Sequence, residues 1–167
     1  MPLPNVEQPE FIEISPSLRL RRYHGDWHLA VDGYRDPYVY QNSEGIFDES
    51  KIPDESYVQG MLSYLDGVGE LYFIEVLNDG EYSAVGDVTV KDVNPPIAIW
   101  YGKYRGVGIG FSVMSTVIER LRELGFTKIT GSTVYKWNEH SLSLHKKLGY
   151  EVVGESEDEY ILELTLC

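Results

Sequence analysis

Residues 104–113 read YRGVGIGFSV, with Gly106, Gly108 and Gly110 at alternate positions, Arg105 in front and an apolar run behind. Glycine at that density weakens a helix or a strand, so the stretch has a purpose other than regular structure. Behind it Ile109, Val113, Val117, Leu121 and Leu124 recur at spacings of four, four, four and three, and Met114 and Ile118 widen the stripe. That pattern predicts an amphipathic helix of about four turns that stops at Gly125. In front, IAIWY at 97–101 reads as a short strand. The glycines thus lie between a strand and a helix N-terminus, where unpaired N–H groups and the helix dipole favour an anion. Glycine leaves no Cβ to keep a phosphate from the main chain, and Arg105 adds positive charge. A pyrophosphate suits this site; a tight turn with no ligand is the plainer alternative. Two familiar phosphate loops fail on the letters. Phe111 and Val113 stand where a dinucleotide fingerprint needs glycine, and there is no Gly-Lys-Ser/Thr.

Outward from this unit, Leu18 and Leu20 alternate with Arg19 and Arg21 as in a strand, after a loose lead-in over residues 1–10. DWHLAVDGY predicts a short helix ending before Pro37, and DESYVQGMLSYL a second helix capped by Asp54. QNSEGIFDESK reads as a polar loop between them. ELYFIEVL and YSAVGDVTVK flank Asp79-Gly80 as a hairpin. TKITGSTVY is a strand, SLSLHKKL a helix bounded by Asn138 and Gly149, and EVVG with YILELTL a last strand pair. Strands outnumber helices and mostly follow one another as hairpins, with one strand-helix-strand crossover at 97–134.

A chain of 167 residues with 43% hydrophobic content fits one globular domain, here residues 11–167. MPLPNVEQPE lacks the charge and apolar run of a signal peptide, and no stretch is long and apolar enough to span a bilayer, which leads us to expect a soluble, cytoplasmic protein. The one cysteine, Cys167, excludes an intrachain disulfide. His24 and His28 have the spacing of a metal pair but no third ligand stands out, so no metal is expected. The formal net charge of −13 repels nucleic acid and anionic membrane. Its distribution is uneven. Residues 36–100 hold 13 acidic and two basic side chains, whereas residues 101–150 hold eight basic and three acidic ones. Such a chain meets an anion with its second part and a cation with its first, unless the runs are simply solvated surface.

RGVGIG fits the pattern Q/R-x-x-G-x-G/A and resembles the acetyl-CoA-binding loop of the GNAT superfamily of N-acetyltransferases. Starting 28 residues after Gly110, NEHSLSLHKKLGYEVVG is similar to that family's second signature through Asn138, Leu144, Lys147, Gly149 and Tyr150, with Ser141 where alanine is usual. The resemblance is clearest from about Tyr72 to Leu166. It implies an α/β fold of the α+β type: a mixed, mostly antiparallel sheet of about six to seven strands flanked by about four helices, with splayed central strands. IAIWY and KITGSTV would be the splayed pair. The backbone of Ala98, Ile99 and Trp100 would then hold the pantetheine arm of acetyl-CoA. The loop Arg105, Gly106, Val107, Gly108, Ile109 and Gly110 would wrap its pyrophosphate, and Asn138 would meet the arm.

The chemistry so implied is attack of a neutral amine on the thioester carbonyl. Many relatives place a tyrosine seven positions after the signature asparagine as acid for the leaving thiolate. This chain has His145, which titrates near ~6.5 and can serve as acid, as base or as neither. Thr133 stands where some protein-modifying relatives carry a glutamate base. For the acceptor side we single out Glu75 and Asp87 on the central hairpin. We add Glu44 in the polar loop, with Asp48 and Glu49 nearby, and the aromatic set Tyr34, Tyr38, Tyr40 and Phe47. Acidic and aromatic side chains together suit a small cationic amine, polyamine-like or aminoglycoside-like. Two other readings stay open: acetylation of a protein N-terminus or lysine, and a non-catalytic acyl-CoA-binding module. The oligomeric state is open, a homodimer included.

Overall fold

The structure, a computed structural model, describes residues 6–167. Its strands are β1 (Phe11–Ser15), β2 (Leu18–Arg22), β3 (Glu70–Asn78), β4 (Glu81–Val90), β5 (Ile97–Ile99), β6 (Lys128–Tyr135), β7 (Glu151–Glu155) and β8 (Glu159–Thr165). The α-helices are α1 (His28–Tyr34), α2 (Pro37–Glu44), α3 (Glu55–Val68), α4 (Ile109–Glu123) and α5 (Glu139–Lys147). The strands form two antiparallel sheets, ordered β1-β2-β3-β4-β5 and β6-β8-β7. No helix among the described residues is long and apolar enough to cross a membrane.

The two sheets touch at one point and then part. Val93 and Thr130 form an isolated parallel bridge, in which Asn94 N–H donates to the Thr130 carbonyl (2.9 Å) and Thr130 N–H to that of Asp92 (3.0 Å). Past it come Pro95 and Pro96, which carry no N–H to continue a ladder. From there β5 follows β4 while β6 follows β8. The expected splay is thus present between the expected strands.

Side-chain alternation divides the core. Tyr72, Ile74, Val88 and Val90 face α4, whose stripe of Val113, Met114, Val117, Ile118 and Leu121 is buried. Leu71 and Phe73 face the other way, into a cluster with Ala30, Tyr34, Val58, Leu62 and Trp100 from α1, α3 and the end of β5. Arg120 near the end of α4 is clamped to buried Glu70 of β3 (2.8 Å), which also accepts from the Tyr72 hydroxyl (2.9 Å). That pair fixes the helix whose other end carries the glycines.

Three elements differ from the sequence reading. Residues 6–10 are not loose: Gln8 donates to the Leu71 carbonyl (2.9 Å) and the Glu10 carbonyl accepts from Arg22 N–H (2.8 Å). They lead into β1, which pairs with β2; residues 1–5 of the lead-in lie outside the described residues. The start of the supposed polar loop belongs to α2. Asp36 caps that helix at Tyr38 N–H (2.9 Å) with Pro37 at its first position, so the proline opens a helix where it was expected only to end one. A short 3₁₀ turn, Glu49–Lys51, follows.

The β3–β4 register shifts after Ile74, which pairs with Gly86, whereas Glu75 pairs with Ala84. Val85 is therefore the extra residue of a bulge, and its carbonyl accepts from Trp100 N–H (2.8 Å). A Cβ at Gly86 would lie 2.4 Å from the Ala98 carbonyl oxygen, so only glycine lets β5 approach β4 here. Gly86→Ala is expected to lower the unfolding free energy by about 1–3 kcal/mol in urea denaturation; unchanged stability would contradict this packing.

Candidate functional site

Two cavities lie on either side of the splay. The first, of about 310 Å³, runs along the glycine loop and one face of α5; the second, of about 300 Å³, lies between β4, β6 and α2. They share Asn42, Ser43, Ile97, Ala98, Asn138 and Ser141. Helical spacing makes α5 the wall between them. His140, Ser143, Leu144 and Lys147 face the first, His145 faces the second, and Ser141 borders both.

The glycine loop has the geometry of an anion cradle. Gly106 and Gly108 have φ of +71° and +90°, and a Cβ on either would project into open space. Ser112 N–H is the first of α4 to reach a carbonyl, that of Gly108 (3.1 Å), so the N–H groups from Gly106 to Phe111 have no backbone partner among the described residues. Gly106, Gly108 and Gly110 line the first cavity. Val107 and Ile109 have side chains outside it, so any contact they make is through their N–H groups. Arg105 has a different job from the one expected. Its guanidinium donates to the carbonyls of Ile99 (3.1 Å) and Trp100 (2.9 Å) and lies 4.2 Å from the centre of the Tyr38 ring. It staples β5 to the loop and to α2, and its charge still borders the cavity.

The strand register corrects the expected backbone donors. The Pro96 carbonyl accepts from Thr89 N–H (3.1 Å) and Trp100 N–H donates to the Val85 carbonyl (2.8 Å), both on β4, and Ala98 stands opposite Asp87 in the same phase. Alternation therefore turns the main chain of Ala98 and Trp100 towards β4, and that of Ile97 and Ile99 into the splay. With the Ile99 carbonyl held by Arg105, the N–H groups of Ile97 and Ile99 and the carbonyl of Ile97 face the gap. Trp100 is fully buried and donates its indole N–H to Asp87 (2.8 Å). Asn138 caps α5 at Ser141 N–H (3.2 Å) and donates to the Asn42 carbonyl (3.4 Å), tying α5 to α2 across the junction of the cavities.

The second cavity gathers Glu44, Asp87 and Glu159 with Tyr34, Tyr135 and His145, and no lysine or arginine lines it among the described residues. Asp87 is 1% exposed, and its Oδ2 accepts from Tyr34 (2.7 Å) and Trp100 (2.8 Å). Burial pushes its pKa up to about 6 against the pull of those two donors. Glu44 accepts from the Tyr57 hydroxyl (2.5 Å), and burial raises its pKa as well. Glu159 enters the cavity from β8, where it stands opposite Tyr135. Sequence reading missed it, because only the cross-strand register brings it here.

Two expected acceptor contacts lie elsewhere. Both carboxylate oxygens of Glu75 are taken by Arg19 and Arg21 (2.9 Å each), a pairing across the β2–β3 ladder that leaves nothing for a ligand. Glu75 lines neither cavity. Tyr38 lines the first cavity, beneath Arg105, and not the second.

The folded state binds the Asp87 proton more tightly than the unfolded chain does, because the pKa rises from 3.8 to about 6. The stability this group contributes is therefore full below about pH 4 and is lost as pH rises through about 6, a span worth about 3 kcal/mol. The Asn oxygen can still accept from Tyr34 and Trp100. Asp87→Asn is expected to raise unfolding free energy by about 1–3 kcal/mol at pH 7.5 and by less than about 1 kcal/mol at pH 4. Urea melts at the two pH values check this, and an equal effect at both would contradict it.

Residues 27–150 match the model of the acetyltransferase (GNAT) family. No curated protein matches the chain. A domain from Methanocaldococcus jannaschii shares the fold with a TM-score of 0.75 at 21% identity, covering 89% of this chain and 97% of that one. A GNAT-family acetyltransferase from Bacillus anthracis follows at 0.71 and 19%, covering 93% and 98%. Spermidine N-acetyltransferase from Vibrio cholerae, solved with CoA and spermine, scores 0.70 at 14%, covering 91% and 97%. The matched segment contains α1 to α5, the splay and the glycine loop, and the chain belongs to the GNAT family of acetyltransferases.

Proposed function

We propose that the protein transfers the acetyl group of acetyl-CoA to the primary amine of a small, cationic acceptor. One observation carries this reading: two cavities of opposite charge meet at Ala98, Ser141 and Asn138. The first is bordered by Arg105 and Lys147 with no carboxylate among the described lining residues, and the second by three carboxylates with no base stronger than histidine. Acetyl-CoA, when bound, supplies an acetyl thioester. The loop N–H groups of Gly106 to Phe111 would receive its phosphates, and the open main-chain groups of Ile97 and Ile99 its amide-bearing arm, much as a neighbouring strand is received. The arm would thus bring its reactive end to the junction with the acidic cavity.

An ammonium in that acidic cavity meets a field that favours its entry and holds it beside Asp87. Glu44 and Glu159 lie in the same cavity and would steer it. The Vibrio cholerae spermidine N-acetyltransferase, which shares this fold and was solved with CoA and spermine, lends support to a polycationic acceptor. A screen of acetyl-CoA consumption over diamines, polyamines, aminoglycosides, amino acids and peptides tests the assignment. Turnover on small cationic amines is expected, and turnover on peptides alone would move the acceptor to a protein.

Removal of one charge from that cavity offers a sharper check. Glu159→Gln is expected to raise KM for a cationic amine about tenfold, equivalent to about 1.4 kcal/mol, with KM for acetyl-CoA unchanged. At saturating acetyl-CoA, added salt should weaken capture of a charged acceptor more than that of a neutral one of equal size. Equal responses would remove the electrostatic basis of the acceptor assignment.

A further inference from the structure

We infer that His145 takes the proton from the acceptor's ammonium through Nε2, and is not the acid that protonates the departing thiolate. This rests on the reading of the protein as an amine acetyltransferase. Three geometric facts carry it. First, His145 lines the acceptor cavity and not the glycine-loop cavity, because α5 turns the positions bordering the two cavities to different sides. Second, His145 Nδ1 lies 2.7 Å from the Ser141 carbonyl. A carbonyl only accepts, so Nδ1 carries the hydrogen and the neutral ring leaves Nε2 as a lone-pair acceptor. Third, Nε2 has no protein partner among the described residues, which leaves it free to face the cavity that the His145 side chain lines. The ring is held edge-on against Tyr150 at 4.8 Å, which fixes that direction.

The surroundings fit a base. Burial lowers the His145 pKa below its ordinary 6.5, with the Ser141 carbonyl pulling the other way, so the ring is neutral and ready to accept at pH 7.5. The ionisable groups around the same cavity are Asp87 from β4, Glu44 from α2, Glu159 from β8, Tyr135 from β6 and Tyr34 from α1. None is a lysine or arginine that would repel the imidazolium once formed, and the carboxylates favour it. Asp87 has its Oδ2 occupied by Tyr34 and Trp100, which leaves it the task of holding the cation. The proton leaves the ammonium for Nε2, and the freed nitrogen lone pair forms the N–C bond at the thioester carbonyl carbon. The C–S bond breaks, with its electron pair going to sulfur. The nitrogen loses its second proton to solvent, and the thiolate takes one from water.

An alkylammonium near pKa ~10 needs this help, whereas an amine near pKa ~7 is already largely free at neutral pH. A proton acceptor is therefore needed most for the strongly basic acceptor, while an acid for the thiolate serves every acceptor alike. With a matched amine pair of pKa about 10 and about 7, His145→Gln should lower kcat/KM by about 10²- to 10⁴-fold for the first and less than about tenfold for the second. Acetyl-CoA affinity and Tm should stay close to wild type. Equal losses on both amines, or no loss on either, would overturn the assignment. The ¹⁵N NMR shifts of the wild-type His145 ring need no variant. A neutral Nδ1–H form is expected at pH 7.5, and an Nε2–H form or an imidazolium would overturn the proposal. Absence of wild-type turnover on every amine would instead strike the acetyl-transfer reading, leaving the NMR result to judge His145 by itself.

Discussion

Beyond the bridge between Val93 and Thr130, β5 and β6 run out of ways to pair, and both cavities follow from that failure. Asn94 takes the last ladder bond, and its side-chain oxygen accepts from Thr133 N–H (3.2 Å). Pro95 and Pro96 then offer no donor. The bulge at Val85 keeps β5 on β4 by giving Trp100 N–H a carbonyl. Arg105 pins the far end through the carbonyls of Ile99 and Trp100. The strand is held firmly on one edge and left open on the other, with unpaired main-chain groups that would be costly if nothing solvated or bonded them.

That open edge also sorts charge. The acidic first part of the chain supplies Glu44 and Asp87 to the second cavity, and the basic second part supplies Arg105 and Lys147 to the first. Asp87 shows what the arrangement costs. A carboxylate held almost wholly out of water beside other acids is pushed up to about 6, and the fold tolerates it because Tyr34 and Trp100 both donate to it. Such tension between stability and a poised group is common where chemistry is done.

The parts of the site that repeat along the chain were readable in advance. The stripe from Ile109 to Leu121, the glycines at 106, 108 and 110 and the spacing to Asn138 are local patterns, and the structure has the helix, the loop and the cap where they indicate. What escaped depends on register or on contacts distant in sequence. Strand phase turns Ile97 to the splay and Ala98 away from it, and a three-residue strand gives no periodicity from which to read that. Glu75 was a plausible ligand until Arg19 and Arg21 came beside it from β2. Glu159 reached the cavity only through its pairing opposite Tyr135. Asp36-Pro37, by contrast, was legible: α1 does end before Pro37 as expected, and the same pair also opens α2, which was not read from it.

Everything proposed for the site requires that acetyl-CoA complete the open edge of β5 and the start of α4. Amide hydrogen exchange, resolved by residue, with and without acetyl-CoA tests it most directly. Ile97, Ile99 and the amides from Gly106 to Phe111 are expected to become protected on binding, while Ala98 and Trp100, already bonded to β4, change little. Saturating acetyl-CoA that leaves Ile97, Ile99 and the glycine-loop amides as fast as in the free protein would contradict it.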